Sequence, residues 1–268
     1  MAAPSRNRSL GAVVFDVDGT LADTERHGHR VAFNRAFEEL DLPYRWDEDT
    51  YGELLHVTGG KRRLAGYLAD QGVDDPERDR LAGELHRRKT AIMKALVDDG
   101  VVEARPGVSR LLAELGEAGC PLAVATTGSR DWVERLLQRL LPTVGFDAIV
   151  TGDEVENRKP DPEAYVVALE RLGLERGDPV VAVEDSGEGL ASAVGAGLRC
   201  VVVVNGYTAG HDVGDAALVL DGFGQPDRAA RVLADPAGTG CDGVLDLEVL
   251  ARLVQGPVRP LGQPPPAR

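Results

Sequence analysis

Asp16 and Asp18 stand one residue apart at the end of the apolar run Ala12-Val13-Val14-Phe15, and Gly19-Thr20 follows at once. On an extended backbone residues i and i+2 point the same way, so the pair presents two carboxylates to one small volume. Two anions that close repel unless a cation sits between them, and a divalent metal meets that need. Gly19 permits a sharp turn, and Thr20 adds a hydroxyl and a backbone N–H. The combination suits one aspartate as nucleophile, the other as acid/base, and a Mg²⁺ ion shared with a phosphate. The plainer alternative is a strand that ends in a polar turn, where Asp and Gly are common in any case.

Three later segments extend this chemistry. Thr126-Thr127-Gly128-Ser129 follows an apolar run and precedes a helical pattern, so its hydroxyls and N–H groups form a phosphate cradle. Taken alone, the segment would be read as an ordinary Thr/Ser helix cap. Lys159, in Arg158-Lys159-Pro160-Asp161-Pro162, could neutralise charge on both an aspartate and a phosphate, although a lone lysine is by default a solvated surface residue. Glu184-Asp185 closes another apolar run with two acids suited to a metal.

Alternating elements must position these groups. The patterns predict strands over Val13–Phe15, Pro121–Ala125, Ala148–Val150, Val180–Val183 and Cys200–Val204. Helices are predicted over Val108–Ala118, Arg130–Leu140, Pro162–Leu172 and Gly189–Ala196, with Leu218–Leu220 as an edge strand and Asp246–Val254 as a last helix. Short strands alternating with helices imply a parallel sheet covered on both faces, with ligands at the carboxyl ends of its strands. The stretch from Asp23 to Asp99 shows no strand. It reads as helices over Thr24–Leu40, Asp47–His56, Lys61–Gln71 and Pro76–Val97, a helical insert early in the fold.

Asp-x-Asp-Gly-Thr, a Thr after the second strand, Lys-Pro and Glu-Asp, in that order, resemble the haloacid dehalogenase superfamily of phosphohydrolases. The helical insert resembles that superfamily's mobile cap. A finer resemblance is to the CbbY-like branch, whose characterised members are xylulose-1,5-bisphosphate phosphatases. It lies in Ala22-Asp23-Thr24-Glu25, His29-Arg30-Val31-Ala32-Phe33-Asn34, Tyr51-Gly52-Glu53-Leu54-Leu55, Thr58-Gly59-Gly60-Lys61, His86-Arg87-Arg88-Lys89-Thr90 and Ala123-Val124-Ala125-Thr126-Thr127.

The resemblance implies an α/β fold with a Rossmann-like parallel-sheet core, residues 10–22 and 100–255, and an inserted α-helical cap, residues 23–99. Residues 1–9 and 256–268 are expected to be disordered tails. Asp16 would attack phosphorus and become an aspartyl-phosphate, and Asp18 would protonate the leaving sugar oxygen and then activate water. Asp16, Asp185, the main-chain carbonyl of Asp18 and Glu184 would serve Mg²⁺, while Thr126 and Lys159 hold the transferring phosphoryl group. Substrate contacts would come from Asp16, Glu25, His29, Tyr51, Gly59, Gly60, Lys61, Arg63, His86, Lys89, Thr126, Thr127 and Gly128. Within this pattern Arg26-His27-Gly28-His29 is one residue longer than in some bacterial relatives, and Arg62 stands where relatives often carry Glu. A hexose phosphomutase of the β-phosphoglucomutase type, a broader sugar-phosphate phosphatase, or a regulatory protein using the fold without catalysis are the competing readings.

Composition sets the outer limits. The 268-residue chain has a charged fraction of 28% and a hydrophobic fraction of 43%, those of an ordinary globular protein. Its net charge of −14 argues against nucleic-acid or anionic-membrane partners. A phosphorylated substrate would therefore need basic residues gathered locally, and Lys61, Arg62, Arg63, Arg87, Arg88 and Lys89 supply two clusters in the insert. Arg87 and Arg88 read as surface residues, because His86 and Lys89 at i, i+3 share a face. Cys120, Cys200 and Cys241 fit neither a disulfide framework nor a zinc spacing, so reduced thiols and a cytoplasmic setting are expected. A monomer is the expected state. No stretch approaches the roughly 18 apolar residues of a membrane span, and Met1–Ser9 lacks the apolar core of a signal peptide.

Overall fold

A computed structural model describes residues 10–57 and 59–255, so the expected terminal tails and Thr58 lie outside the described residues. In chain order the elements begin with β1 (Ala12–Phe15), α1 (Arg30–Glu39), α2 (Glu48–Leu54), α3 (Gly60–Asp70) and α4 (Glu77–Asp98). They continue with α5 (Val108–Glu117), β2 (Leu122–Ala125), α6 (Arg130–Leu140), β3 (Ala148–Val150), α7 (Glu163–Arg171) and β4 (Val180–Glu184). The last are α8 (Gly187–Gly195), β5 (Arg199–Val203), β6 (Leu218–Leu220), β7 (Val232–Ala234) and α9 (Leu247–Gln255). The chain divides into two compact units. Among the described residues, one comprises residues 10–22, Ala104–Val133 and residues 141–255; the other is Asp23–Glu103 with Glu134–Leu140.

The first unit is built on a seven-stranded sheet in the order β3-β2-β1-β4-β5-β6-β7. The first six strands are parallel, with Phe15 beside Val124 on one side and Val183 on the other. β1 is therefore the switch point at which the strand order reverses, the position where open α/β sheets bind ligands. β1, β2 and β4 are buried along their whole length, which explains why their sequences are continuously apolar rather than alternating. Val14, Ala123, Ala182 and Val202 share one cluster with Tyr165, Ala168, Leu190 and Ala193 of α7 and α8. Each fully buried Val or Leu there contributes about 1.5–3 kcal/mol. All three cysteines are free thiols.

One expectation fails at the sheet's far side. Leu218–Leu220 is an interior strand, since Val232–Ala234 adds an antiparallel strand outside it with an irregularity at Val219/Leu220. Three residues, all exposed, carry too little apolar pattern to announce a strand, and backbone pairing with β6 decides it.

The second unit has helices and no strand among its described residues, and its centre is aromatic. Six of the chain's twelve aromatic residues, Phe33, Phe37, Tyr44, Trp46, Tyr51 and Tyr67, stack with ring centroids 4.8–6.4 Å apart. The Asn34 side chain bonds both the N–H and the C=O of Trp46, at 2.8 and 2.7 Å, and so fixes the Pro43–Trp46 connection. Asp47 caps α2 by accepting the Thr50 N–H at 2.8 Å.

The predicted helix Thr24–Leu40 is not uniform. Its first turn, Glu25–His29, is a π-turn closed by the Arg30 N–H on the Glu25 carbonyl, and α1 begins only after it. A π-turn is how a helix absorbs one extra residue. Gly28 sits at its inner side, where a Cβ would lie 2.6 Å from the Met93 methyl and 3.2 Å from Val102.

Candidate active site

In the sheet unit, three strand ends converge. Asp16 follows β1, its N–H continuing the ladder to the Val183 carbonyl at 3.0 Å, and Thr126 follows β2 with its N–H on the Val150 carbonyl at 3.0 Å. Glu184 is the last residue of β4. Lys159, on the connection before α7, reaches in from the side. Its Nζ donates to Asp16 Oδ1 at 2.7 Å, to Glu184 Oε1 at 2.5 Å and to the Ala125 carbonyl at 2.8 Å. Tyr165 donates its hydroxyl to the same Glu184 oxygen at 2.6 Å.

All of these groups are buried, and burial dominates their protonation. It pushes the Asp16 carboxyl above its usual range against the opposing pull of Lys159. Glu184 is raised by the same cause to about 7, with Asp16 adding to the rise. Burial works to lower the Lys159 ammonium, but Asp16 and Glu184 more than offset it and hold it above the ordinary lysine range. Two buried carboxyl groups share one ammonium, so a second cation would favour the ionised form of both. Asp16, Glu184 and Asp185 each offer a carboxylate oxygen, all within 4.8 Å of one another. An all-oxygen, anionic donor set of this size fits a hard divalent ion such as Mg²⁺.

The other predicted residues of this unit fall around that centre. Asp18 is half-buried on the turn that leads to Ala22. The Thr126 hydroxyl accepts the Gly128 N–H at 3.1 Å, and Gly128 in turn holds the Gly152 N–H at 2.8 Å. Thr127 is half-buried in the same loop. Asp153 accepts the Arg130 N–H at 2.8 Å, so the cradle before α6 is braced from the β3 connection.

The helical unit assembles a second cluster. Tyr51 donates its hydroxyl to Glu25 Oε2, and Arg63 lays its guanidinium over the Tyr51 ring at 5.4 Å while reaching the Tyr51 oxygen at 3.4 Å. Arg63 Nε also holds the Leu54 carbonyl at 3.0 Å. Lys89 is buried with its Nζ 5.0 Å from the Phe33 ring centre. Burial, followed by the Lys89 charge, holds His29 down at about 3, with Glu25 opposing and Arg63 and His86 adding to the fall. His86 is lowered by burial and by Lys89 and Lys61, although Lys61 itself is exposed. Gly59 precedes α3 with φ of 91°, and Gly60 lies where a Cβ would touch Phe33 and His86 at 3.2 and 3.3 Å.

The structure thus brings Glu25, His29, Tyr51, Arg63, His86 and Lys89 together in one electropositive cluster. Arg62 is exposed; Arg87 pairs with Glu84, and Arg88 with Glu84 and Glu39, on the surface. Of the histidines without a predicted role, His27 lies 3.9 Å from Asp23, His56 bonds the Glu53 carbonyl, and His211 accepts the Gly187 N–H at 3.3 Å.

The haloacid dehalogenase-like hydrolase family matches residues 13–203, a span that begins at β1 and ends with β5. The chain belongs to this family. Among its relatives, a CBBY-like protein of Arabidopsis thaliana is 40% identical over 231 residues, covering 83% of this chain and 72% of that one. Protein CbbY of Cereibacter sphaeroides is 43% identical over 219 residues, covering 81% and 94%. Crystal structures of CbbY from Rhodobacter sphaeroides, with phosphate and, as a mutant, with xylulose-1,5-bisphosphate, are 42% identical at TM-score 0.71 and cover 80% of this chain and 94% of theirs. As a haloacid dehalogenase-like protein with these relatives, the chain is a phosphatase. Its four ordered motifs were visible in the sequence, whereas Tyr165, Arg105 and Asn205 were not. Asn205 donates to Asp185 Oδ2 at 2.7 Å, and Arg105 donates to the Gly19 carbonyl at 2.7 Å. Asn205 could have been found, since it lies just beyond a predicted strand end, as Asp16, Thr126 and Asp185 do.

Proposed function

We propose that the protein is a Mg²⁺-dependent sugar-bisphosphate phosphatase working through an aspartyl-phosphate on Asp16, with xylulose 1,5-bisphosphate as substrate and xylulose 5-phosphate as product. The observation that carries the reading is the Asp16 carboxylate at the switch-point strand end, one oxygen held at 2.7 Å by a buried lysine. Mg²⁺, held by Asp16, Asp185, the Asp18 carbonyl and the Glu184 carboxylate, would neutralise charge on the transferring phosphoryl group.

The chain's own residues account for the rest. An Asp16 oxygen forms the bond to phosphorus as the phosphorus–sugar-oxygen bond breaks, and Asp18 gives that oxygen its proton. Asp18, now a carboxylate, takes a proton from the water that attacks phosphorus, and the Asp16–phosphorus bond breaks to release phosphate. Lys159 and the Thr126–Gly128 loop balance and orient the three peripheral oxygens, which is where phosphoryl transfer gains most of its rate. Glu184 and Tyr165 keep Lys159 charged and in place.

A bisphosphate has a second phosphate, and the helical unit carries the counter-charge a net-acidic protein must concentrate somewhere. Arg63 and Lys89, with Lys61 and the backbone at Gly59-Gly60, suit that anion, while Glu25, His29, Tyr51 and His86 suit sugar hydroxyls. The relative crystallised with xylulose-1,5-bisphosphate supports this substrate. Phosphate release from xylulose 1,5-bisphosphate, ribulose 1,5-bisphosphate, glucose 1-phosphate and phosphoglycolate tests it. A strong preference for the first is expected, and a flat profile reduces the reading to a general sugar-phosphate phosphatase. Isomer formation from β-glucose 1-phosphate without phosphate release would instead favour the mutase.

A further inference from the structure

We infer that Asn205 is a positioning residue for the metal site, setting the rotation of the Asp185 carboxylate and tying it to the turn that carries Asp18. The inference rests on the proposed Mg²⁺ site and concerns a residue outside its ligand set. Asn205 follows β5 and lies next to β4's end in space. Its Nδ2 donates to Asp185 Oδ2 at 2.7 Å and to the Gly19 carbonyl at 3.3 Å.

The orientation of this amide is fixed by its other end. Asn205 Oδ1 accepts the Tyr207 N–H at 2.9 Å and the Thr208 N–H at 3.3 Å, and its own N–H is held by the Thr208 hydroxyl at 2.9 Å. Only an oxygen can face two backbone N–H groups, so the nitrogen must face the carboxylate and the carbonyl. Gly19 completes the junction. Its φ is 81°, and a Cβ there would lie 2.4 Å from Asp185 Oδ2 and 2.9 Å from Asn205 Nδ2. Arg105 holds the Gly19 carbonyl from another direction and also binds the Val203 and Val204 carbonyls at 2.7 and 2.8 Å. The β5 end and the Asp18 turn are therefore fastened to each other twice. A carboxylate that meets a cation needs its second oxygen occupied to resist rotation, and outer partners of this kind change metal affinity by roughly 10–100-fold when removed.

Asn205→Ser tests this. Serine keeps an oxygen for the Tyr207 and Thr208 N–H groups, as such turns accept, but is too short to reach Asp185. Mn²⁺ binding, followed by electron paramagnetic resonance and calorimetry beside wild type and Asp185→Ala, is the readout. The expected result is Mn²⁺ affinity at least tenfold weaker in Asn205→Ser, with its melting temperature in EDTA close to wild type and KM at saturating Mg²⁺ within about threefold. Affinity within twofold of wild type, while Asp185→Ala loses binding, overturns the inference and leaves the metal site standing. Wild type that binds no Mn²⁺ overturns both. If Asn205→Ser does not fold, Asn205→Thr gives the same comparison.

Discussion

The two units solve the placement of reactive groups differently. The sheet unit places Asp16, Thr126 and Glu184 at strand ends, where the backbone ladder fixes each side chain before any packing is considered. The helical unit holds Glu25, Arg63 and Lys89 on helix faces and steadies them on aromatic rings. A strand end tolerates little change and suits atoms that react. A face stacked on rings can be re-tailored one side chain at a time, which suits groups that choose a substrate.

That contrast can be broken by kinetics. The largest effect expected is for Asp16→Asn, which should abolish phosphate release from every ester, a loss of roughly a thousandfold or more, with the circular dichroism spectrum unchanged. Substantial turnover would end the covalent mechanism. Lys159→Met should cost activity on all substrates and also leave Asp16 and Glu184 buried without their cation; breaking such a pair costs about 3–5 kcal/mol, read as a fall in melting temperature.

In the helical unit, Arg63→Gln and Lys89→Met should raise KM for a bisphosphate by roughly tenfold or more, since each removes a charge-assisted bond. Turnover of a small monophosphate should stay within about threefold. If both substrates suffer equally, the division of labour is wrong.

Acid separates the units again. His29, held at about 3 by burial and Lys89, is neutral when folded but takes a proton when unfolded below about 6.5. The unfolded chain thus binds more protons over this range, so stability should fall as pH drops from about 6.5 towards 3. His29→Asn should flatten that slope in melting curves. A smaller effect is expected of Tyr165→Phe, which removes one donor from buried Glu184 and should cost about 1–3 kcal/mol. Its kcat should fall while KM holds.

Legibility followed the same division. Asp16, Asp18, Thr126 and Glu184-Asp185 could be read because a period of two and a strand end fix where a side chain goes, whereas Lys159, on a connection, could be read only from its place in the order of motifs. Alternation of short strands and helices also announced the parallel sheet, but the order of β1, β2 and β4 in space is read only from the structure. Tyr165 escaped because it lies on a helix face that looks like core, and it is core, apart from one hydroxyl. Arg105 gave no spacing at all; its three carbonyl partners come from remote segments. The π-turn at Glu25–His29 cannot be told from an α-turn over five residues. β7 stayed hidden because its partner, and not its own pattern, makes it a strand.

Ala22 and Ala104 form an isolated antiparallel bridge, flanked by the Arg105 N–H on the Leu21 carbonyl at 2.9 Å and the Asp23 N–H on the Glu103 carbonyl at 3.4 Å. Chain leaving the sheet unit and chain returning to it are thus about 5 Å apart, the spacing of paired strands. For the sheet, the whole intervening segment is a loop whose ends already touch. Such a junction closes the loop locally, so the register of β1 and β2 is set without reference to the length or content of the segment between them.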